Sequence, residues 1–404
     1  LPVTIPIKDY YPQWVDSMGW MDKLVLFIIC LVAFFGMAGG ALMGPVLPAM
    51  VEPLNTSREA VGWVLGVYTF STALFMLILG VVTDRIGRKK VLIPCLLING
   101  IAGLAGYFAP SLTSLLVVRF IQGIGVAGMM PVGMTMIGEL YEGLDRVHAM
   151  GRMSMTTAVG SVSAPLIGGT LAVLGWNYPF LFYGLTIPLA LAAVFVLPET
   201  NSRNPKQKTG FMHMFQSLKD NRVVYTVFLS FAVFFLLYTI VIYVPFILKD
   251  NFGFTSQGAG LAFGVQGASM VIFASQAKRL ASKYPNYVIL GIGFALLGIA
   301  VAGMSGVYSI PVVFLLLLVF GVGFGMVQPL LNTLVTQVVP RETMGSVVSL
   351  FNTMKYVGQT AAPAVLGLIL LNSNLVTVFI SSSLLGFSVA FSAYIMRHRF
   401  VAET

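Results

Sequence analysis

The chain has 404 residues, 57% of them hydrophobic and 9% charged, with mean hydropathy +0.91. Soluble globular chains carry about 25% charged residues, so a water-facing surface of ordinary size is excluded, and so is a solvated disordered coil. Two Cys and 42 Gly without a triplet period exclude disulfide-scaffold and collagen-like chains, and the net charge of +9 leaves open whether the partner is acidic until the charges are placed.

In chain order, residues 1–22 carry Asp and the interfacial aromatics Tyr10, Tyr11, Trp14 and Trp20 without an apolar core, so no cleavable leader is expected there. Twelve apolar stretches follow, each near the ~20 residues a spanning helix needs. They are Leu24–Met50, Val61–Val82, Val91–Ala109, Leu112–Leu140, Arg152–Leu174, Tyr178–Leu197, Val223–Leu248, Ser256–Gln276, Tyr287–Met304, Ile310–Val339, Thr343–Leu371 and Leu375–Met396. Runs this long in lipid are helices, because every backbone group must be satisfied within its own segment; the ten-residue alternation of a membrane barrel is absent. The fold expected is an all-α polytopic membrane protein with two six-helix bundles. Residues 1–22 form an N-terminal segment, 23–197 the first bundle, 198–222 a linker, 223–396 the second bundle and 397–404 a tail. Within the linker, Phe211, Met212, Met214 and Phe215 suit either a short amphipathic surface helix or a plain connection.

The charges now have a meaning. All 23 Lys and Arg fall in the even-numbered connections and the termini, except Arg58 and Lys249 in odd-numbered connections and Arg119 and Lys355 inside spans. The positive-inside rule then places both termini in the cytoplasm. No basic soluble module exists for nucleic acid to bind.

The two bundles are related. One fixed offset places Gly123 and Gly125 on Gly321 and Gly323, Pro131 on Pro329, and Gly160, Ala164 and Pro165 on Gly358, Ala362 and Pro363. Both bundles start and end on the same side, so the repeat is parallel, about an axis along the membrane normal. That symmetry fits a transporter with its site near mid-membrane between the halves.

Three segments carry a mechanism. Between spans two and three stands Gly80-Val-Val-Thr-Asp84-Arg85-Ile-Gly87-Arg88-Lys89-Lys90. The glycines permit close approach and a sharp reversal, and Asp84 can accept from a helix N-terminus or an arginine, forming a latch. Span four holds Arg119 with Gln122 one turn along the same face. An arginine that deep is a functional candidate by default, against a structural arginine tied to backbone carbonyls. Span five reads Gly160-Ser-Val-Ser-Ala164-Pro165-Leu-Ile-Gly168-Gly169, small residues for tight packing around a bend. Pro45 and Pro48 should kink the outer end of span one.

These segments resemble the signature loop, the arginine motif and the antiporter motif of the major facilitator superfamily, and within it the twelve-helix drug:proton antiporter group. Ala164 stands where Gly usually precedes the proline. The resemblance implies alternating access, export and a role for Arg119 in proton coupling. One departure matters: no acid lies inside any span, whereas exporters of cationic drugs usually place a carboxylate in an early helix. Glu139, at the end of span four, is the nearest. The embedded ionisable groups are instead Arg119 and Lys355, the latter among Asn352, Tyr356 and Gln359. A buried ammonium favours losing its proton or finding an anion, unless it snorkels to one face. Gln266, Gln328, Asn332 and Tyr238 are further candidates to line a cavity, with Tyr68 and Tyr243.

No Walker-type phosphate loop is present, and His148, His213 and His398 are scattered. We therefore expect no enzyme, cofactor or metal site. The working unit is read as a monomer in the cell membrane, its partners a small-molecule substrate, the bilayer and protons. The function expected is proton-coupled efflux of amphipathic compounds. The alternatives are carriage of an organic anion with Arg119 and Lys355 as counter-charges, or a substrate sensor on the same fold, which a long signalling tail would favour.

Overall fold

The computed structural model describes residues 18–200, 220–337 and 344–395, and among these every regular element is helical. The long helices are α1 Met18–Ala41, α2 Trp63–Ile86, α3 Arg88–Tyr107, α4 Leu112–Leu140, α5 Gly143–Leu171 and α6 Thr186–Val196, the last preceded by a short turn of helix, Pro179–Tyr183. The second half holds α7 Asn221–Phe252, α8 Ser256–Ser275, α9 Asn286–Gly303, α10 Ile310–Gln337, α11 Met344–Leu371 and α12 Leu375–Ile395. The amphipathic segment at 211–215 and the tail at 397–404 lie outside the described residues.

Local chemistry sets the ends. Ser111 and Ser114 cap α4 reciprocally, Thr255 accepts from the Gly258 amide to start α8, and left-handed Gly253 closes α7. Two boundaries differ from the hydropathy reading. Helix α5 begins at Gly143, nine residues before the expected Arg152, because its first turns are a water-facing helix that an apolar window cannot register. Span one is not continuous: α1 stops at Ala41, and a 3-10 turn, Gly44–Val46, and a four-residue helix, Leu47–Met50, follow it. Pro45 and Pro48 lie in those two pieces, where their missing amides are tolerated. Among the described residues, eleven helical stretches are long and apolar enough to cross a bilayer. The remaining long helix, α5, is diluted by Gly, Ser and Thr.

The fixed offset between the halves extends beyond the motifs into hydrogen bonds. Ser71 on α2 donates to the Phe120 carbonyl at 2.6 Å, and Ser269 on α8 donates to the Leu318 carbonyl at 2.9 Å. A Cβ at Gly123 would stand 2.8 Å from Ser71 Cβ, and one at Gly321 the same distance from Ser269 Cβ. Thr135 and Thr333 likewise donate to the carbonyls of Pro131 and Pro329, each at 3.0 Å, the same back-bond from a helical threonine in both halves. The chain is thus two copies of one six-helix unit.

The halves meet along two pseudo-equivalent seams, α2 on α11 and α5 on α8. Gly62 and Gly66 pack on Pro363. Gly260 packs on Pro165 and Gly264 on Leu166. Thr69 and Thr360 share a hydrogen bond at 2.9 Å, Arg58 pairs with Asp250 at 2.8 Å, and Lys249 donates to the Pro48 carbonyl at 3.0 Å. All of these contacts lie away from the side that bears Asp84–Lys90, called here the basic side. Toward the basic side the first half closes on a core of its own, including Ile29, Leu92, Met136 and Ala193, separate from the core that runs through the second half. Among the described residues, the halves are closed on one side and parted on the other.

Candidate functional site

Between the halves, where α1 breaks, lies a cavity of about 100 Å³. Three helices from each half line it: α1, α2 and α5, and α7, α8 and α11. Its walls are largely apolar, with Met37, Phe234, Leu237, Phe263 and Met270, a soft lining that adapts to ligand shape. Tyr68, Tyr238, Tyr356, Ser161, Gln266 and Gln359 bring polar atoms into it. Three of those atoms, the Tyr68 hydroxyl, Gln266 Nε2 and Gln359 Oε1, are buried and have no hydrogen-bond partner. Buried polar atoms are nearly always paired, and these three face one cavity. Pseudo-equivalence accounts for the pairing of positions: Tyr68 corresponds to Gln266, and Ser161 to Gln359. Consecutive glycines on α1 seat two rings, Gly39 against the Tyr68 hydroxyl and Gly40 against the Tyr238 hydroxyl, where a Cβ would stand 2.6 Å from the latter.

Of the residues expected from sequence, Gln266, Gln359, Tyr238, Pro45 and Pro165 line this cavity. Arg119 does not. It is fully buried behind Tyr68, whose ring lies 4.1 Å from the guanidinium carbon. Its Nε donates to the Val64 carbonyl at 2.9 Å, Nη1 to Gln122 Oε1 at 2.7 Å and Nη2 to the Gly39 carbonyl at 3.4 Å. Gln122 passes the chain on to Asn99 at 3.1 Å. Three acceptors and an aromatic face hold this cation where it is, tying α1, α2, α3 and α4 together. Gln328 and Asn332 hydrogen-bond each other on α10 at 3.4 Å, away from the cavity. Tyr243 packs edge-on against Phe379, ring centroids 6.5 Å apart.

Lys355 is placed differently. Its ammonium lies over the rings of Phe351, at 4.9 Å, and Phe234, at 5.8 Å. Phe234 is itself a cavity wall, and Gln359, one turn further along α11, is a cavity group. Asn352 lies the other way, toward the basic side, and is partly exposed.

The loop motif makes a compact charge cluster within the first half. Arg88, almost fully buried, pairs with Asp84 at 3.0 Å and Glu139 at 2.8 Å, and donates to the Thr83 carbonyl at 3.1 Å. Asp84 thus finds its arginine, but four residues away rather than across the halves. Arg85 is exposed. Gly87 has φ +109, where a Cβ would also strike the Glu199 carboxylate. Sequence reasoning missed Glu199, which accepts from the Lys89 and Lys90 amides at 3.1 and 3.2 Å and so caps α3. Nothing stands within 4 Å of a Cβ at Gly80, so the close approach expected there is not made in this conformation. In α5, Gly160 packs on Phe34, Gly168 on the Leu42 carbonyl, Gly169 on the Ser256 carbonyl, and Ala164 is fully buried. Gly169 therefore packs across the seam, while Gly160 and Gly168 seat α1 within the first half.

Two pseudo-symmetric six-helix bundles with an amphipathic cavity between them define a polytopic membrane transporter. The pattern described as Major Facilitator Superfamily matches residues 29–363, and the chain belongs to that family. It is 29% identical to the bacillibactin exporter of Bacillus subtilis (strain 168) over 85% of this chain and 89% of the relative. To multidrug resistance protein 1 of the same organism it is 25% identical, over 86% and 91%. Its fold superposes on the inward-facing, unoccupied structure of a bacterial homologue of the human lysosomal transporter Spinster, with TM-score 0.76, 18% identity, and 95% and 98% of the two chains covered.

Proposed function

We propose that the protein is a secondary active exporter of small amphipathic compounds, drugs among them, working by alternating access across the cytoplasmic membrane and driven by protons. The observation that carries the reading is the central cavity: apolar walls, lined from both halves, with three unpartnered polar atoms turned into it. A site shared between halves that are sealed on one side and parted on the other is open to one compartment at a time. The basic side faces the cytoplasm, by the bias of Lys and Arg, so the cavity is here open inward, ready to load a compound for export. The names of the two Bacillus relatives, an exporter and a multidrug resistance protein, support the direction.

The test is transport in proteoliposomes with an imposed pH gradient. A lipophilic dye should move against its gradient only while the pH gradient lasts, and Gln266→Ala and Tyr68→Phe should each slow it. Equal movement with and without the gradient removes the proton coupling. No movement of a panel of amphipathic dyes under either condition removes the export reading.

A further inference from the structure

We propose that the compound taken by the central cavity is an amphipathic anion, bearing a carboxylate or phosphate, and that Lys355 is the group that binds its charge. The assignment rests on the export reading above and adds to it the sign of the substrate.

The argument begins with what surrounds Lys355. Its ammonium has two aromatic faces, Phe351 and Phe234, and no ion pair or hydrogen bond among the described residues. Lys355 is partly exposed, and aromatic faces attract a cation without neutralising it. The described carboxylates all stand at helix ends or in connections: Asp22, Asp84, Glu139, Glu142, Asp145, Glu199 and Asp220 toward the basic side, Glu52, Glu59 and Asp250 on the other. None lines the cavity. Arg119 offers the contrast, since its donors are engaged by Val64, Gln122 and Gly39 and it is walled off by Tyr68. Arg119 is fully buried and satisfied, whereas Lys355 is partly exposed and unpaired.

A cationic compound entering this cavity would meet an ammonium and no carboxylate. A neutral one would leave the ammonium uncompensated. An anion supplies the missing counter-charge, and a carboxylate or phosphate forms the short, strong charge-assisted bond that an ammonium favours. The remaining oxygens have donors to meet, the orphaned Gln266 Nε2 and the Tyr68 hydroxyl. Phe234 belongs both to the cavity wall and to the Lys355 seat, so the charged end of the ligand sits one turn of α11 from Gln359 while its apolar body lies against Phe263, Leu237 and Met270. Lys355 is not repeated: its equivalent in the first half is Thr157. The charge belongs to the site and not to the scaffold.

The experiment uses three fluorescent probes of one size: dansylglycine (anion), its primary amide (neutral) and N-(2-aminoethyl)dansylamide (cation). Binding to the full-length detergent-purified protein is followed by dansyl emission and thermal shift, and transport in proteoliposomes. The wild-type protein should bind the anion roughly tenfold tighter than the amide, the worth of a charge-assisted hydrogen bond, and bind the cation most weakly. Lys355→Gln should erase the preference and Lys355→Arg should keep it, both variants checked for an unchanged melting profile. The wild-type ranking alone decides the matter should either variant fail to fold. Preference for the amide or cation, or an anion preference that survives in Lys355→Gln, overturns the assignment. If the three probes bind equally and Gln266→Ala weakens all of them, the charge assignment falls while the cavity stands. If none binds, the cavity reading falls and takes this one with it.

Discussion

The two halves share a scaffold and differ in their charges. Packing follows the repeat closely: Ser71 and Ser269 reach equivalent carbonyls, Gly123 and Gly321 seat equivalent serines, and the two seams exchange Pro165 for Pro363. The ionic groups do not follow it. Asp84, Arg88 and Glu139 correspond to Ser282, Asn286 and Gln337, and Arg119 corresponds to Leu317. The first half thus holds a buried cation closed by carbonyls and a closed charge cluster, while the second holds one unpaired ammonium against Phe234, a wall of the cavity. Symmetry governs the hinges and seams, and its breaking marks where each half has a task of its own.

The comparison breaks most forcefully at Arg119. Arg119→Leu copies the second half's own residue at the equivalent position, yet it takes the donor from Gln122 Oε1 and from the Val64 carbonyl in a site with no exposure, while the Gly39 carbonyl keeps the Tyr183 hydroxyl. Each buried group left without its partner costs about 1–3 kcal/mol, so the expected result is collapse of the melting transition or no monodisperse protein. Leu317→Met, a volume-conserving change in the matched site, should cost less than about 1.5 kcal/mol. An Arg119→Leu protein that melts like its parent would show that this arginine is free to move during transport rather than fixed.

The seams test the pseudo-symmetry itself. Gly260 and Gly62 are equivalent, but a Cβ on Gly260 would stand 2.5 Å from the Pro165 carbonyl, while one on Gly62 meets Pro363 Cβ at 3.4 Å. Gly260→Val should therefore wedge the outer seam open, and Gly62→Val should do so much less. A disulfide engineered at Thr69→Cys and Thr360→Cys, where the native hydroxyls are 2.9 Å apart, reports closure. Its yield should fall strongly in the first background and mildly in the second; equal yields would mean the two seams are mechanically interchangeable.

Within the charge cluster, Arg88→Gln leaves Glu139 with no counter-ion at 16% exposure. Breaking one side of a mostly buried pair costs about 1–3 kcal/mol, so the melting temperature should fall by several degrees, with partial recovery in Arg88→Lys. Asn286→Gln, at the neutral equivalent, should change little.

Much of this was readable from residues. Apolar runs gave twelve helices because lipid admits no other use for them, and the repeated glycines gave the symmetry because close helix packing admits no larger side chain. Gln266, Gln359 and Tyr238 were identified because a polar group on an apolar span stands out. The partners were not readable. Arg119 looked like a coupling group, and only the fold reveals Val64 and Gly39 beneath it. Gln328 and Asn332 have the same composition signal as Gln266 but point elsewhere, since which face of a helix meets the cavity is set by neighbours distant in the chain. Glu199 gave no signal at all: its task depends on α3 starting beside it.

The smallest effect is expected at the rim of the seam. Arg58 and Asp250 join the halves at 2.8 Å, but their side chains are 49% and 30% exposed, and ion pairs so placed contribute about 0–1 kcal/mol. Asp250→Asn should therefore leave the melting temperature within about a degree, and its effect should appear only in the closed fraction reported by the Thr69–Thr360 disulfide. That yield should drop slightly at low salt and match the parent at high salt, where exposed charges are screened over about 10 Å or less. Lys249, which donates to the Pro48 carbonyl, keeps the same corner together by a bond that salt does not screen in this way. A large, salt-independent opening in Asp250→Asn would shift the weight of closure from the glycine seams to this one exposed pair, and the contrast between symmetric packing and asymmetric charge would no longer hold at the outer gate.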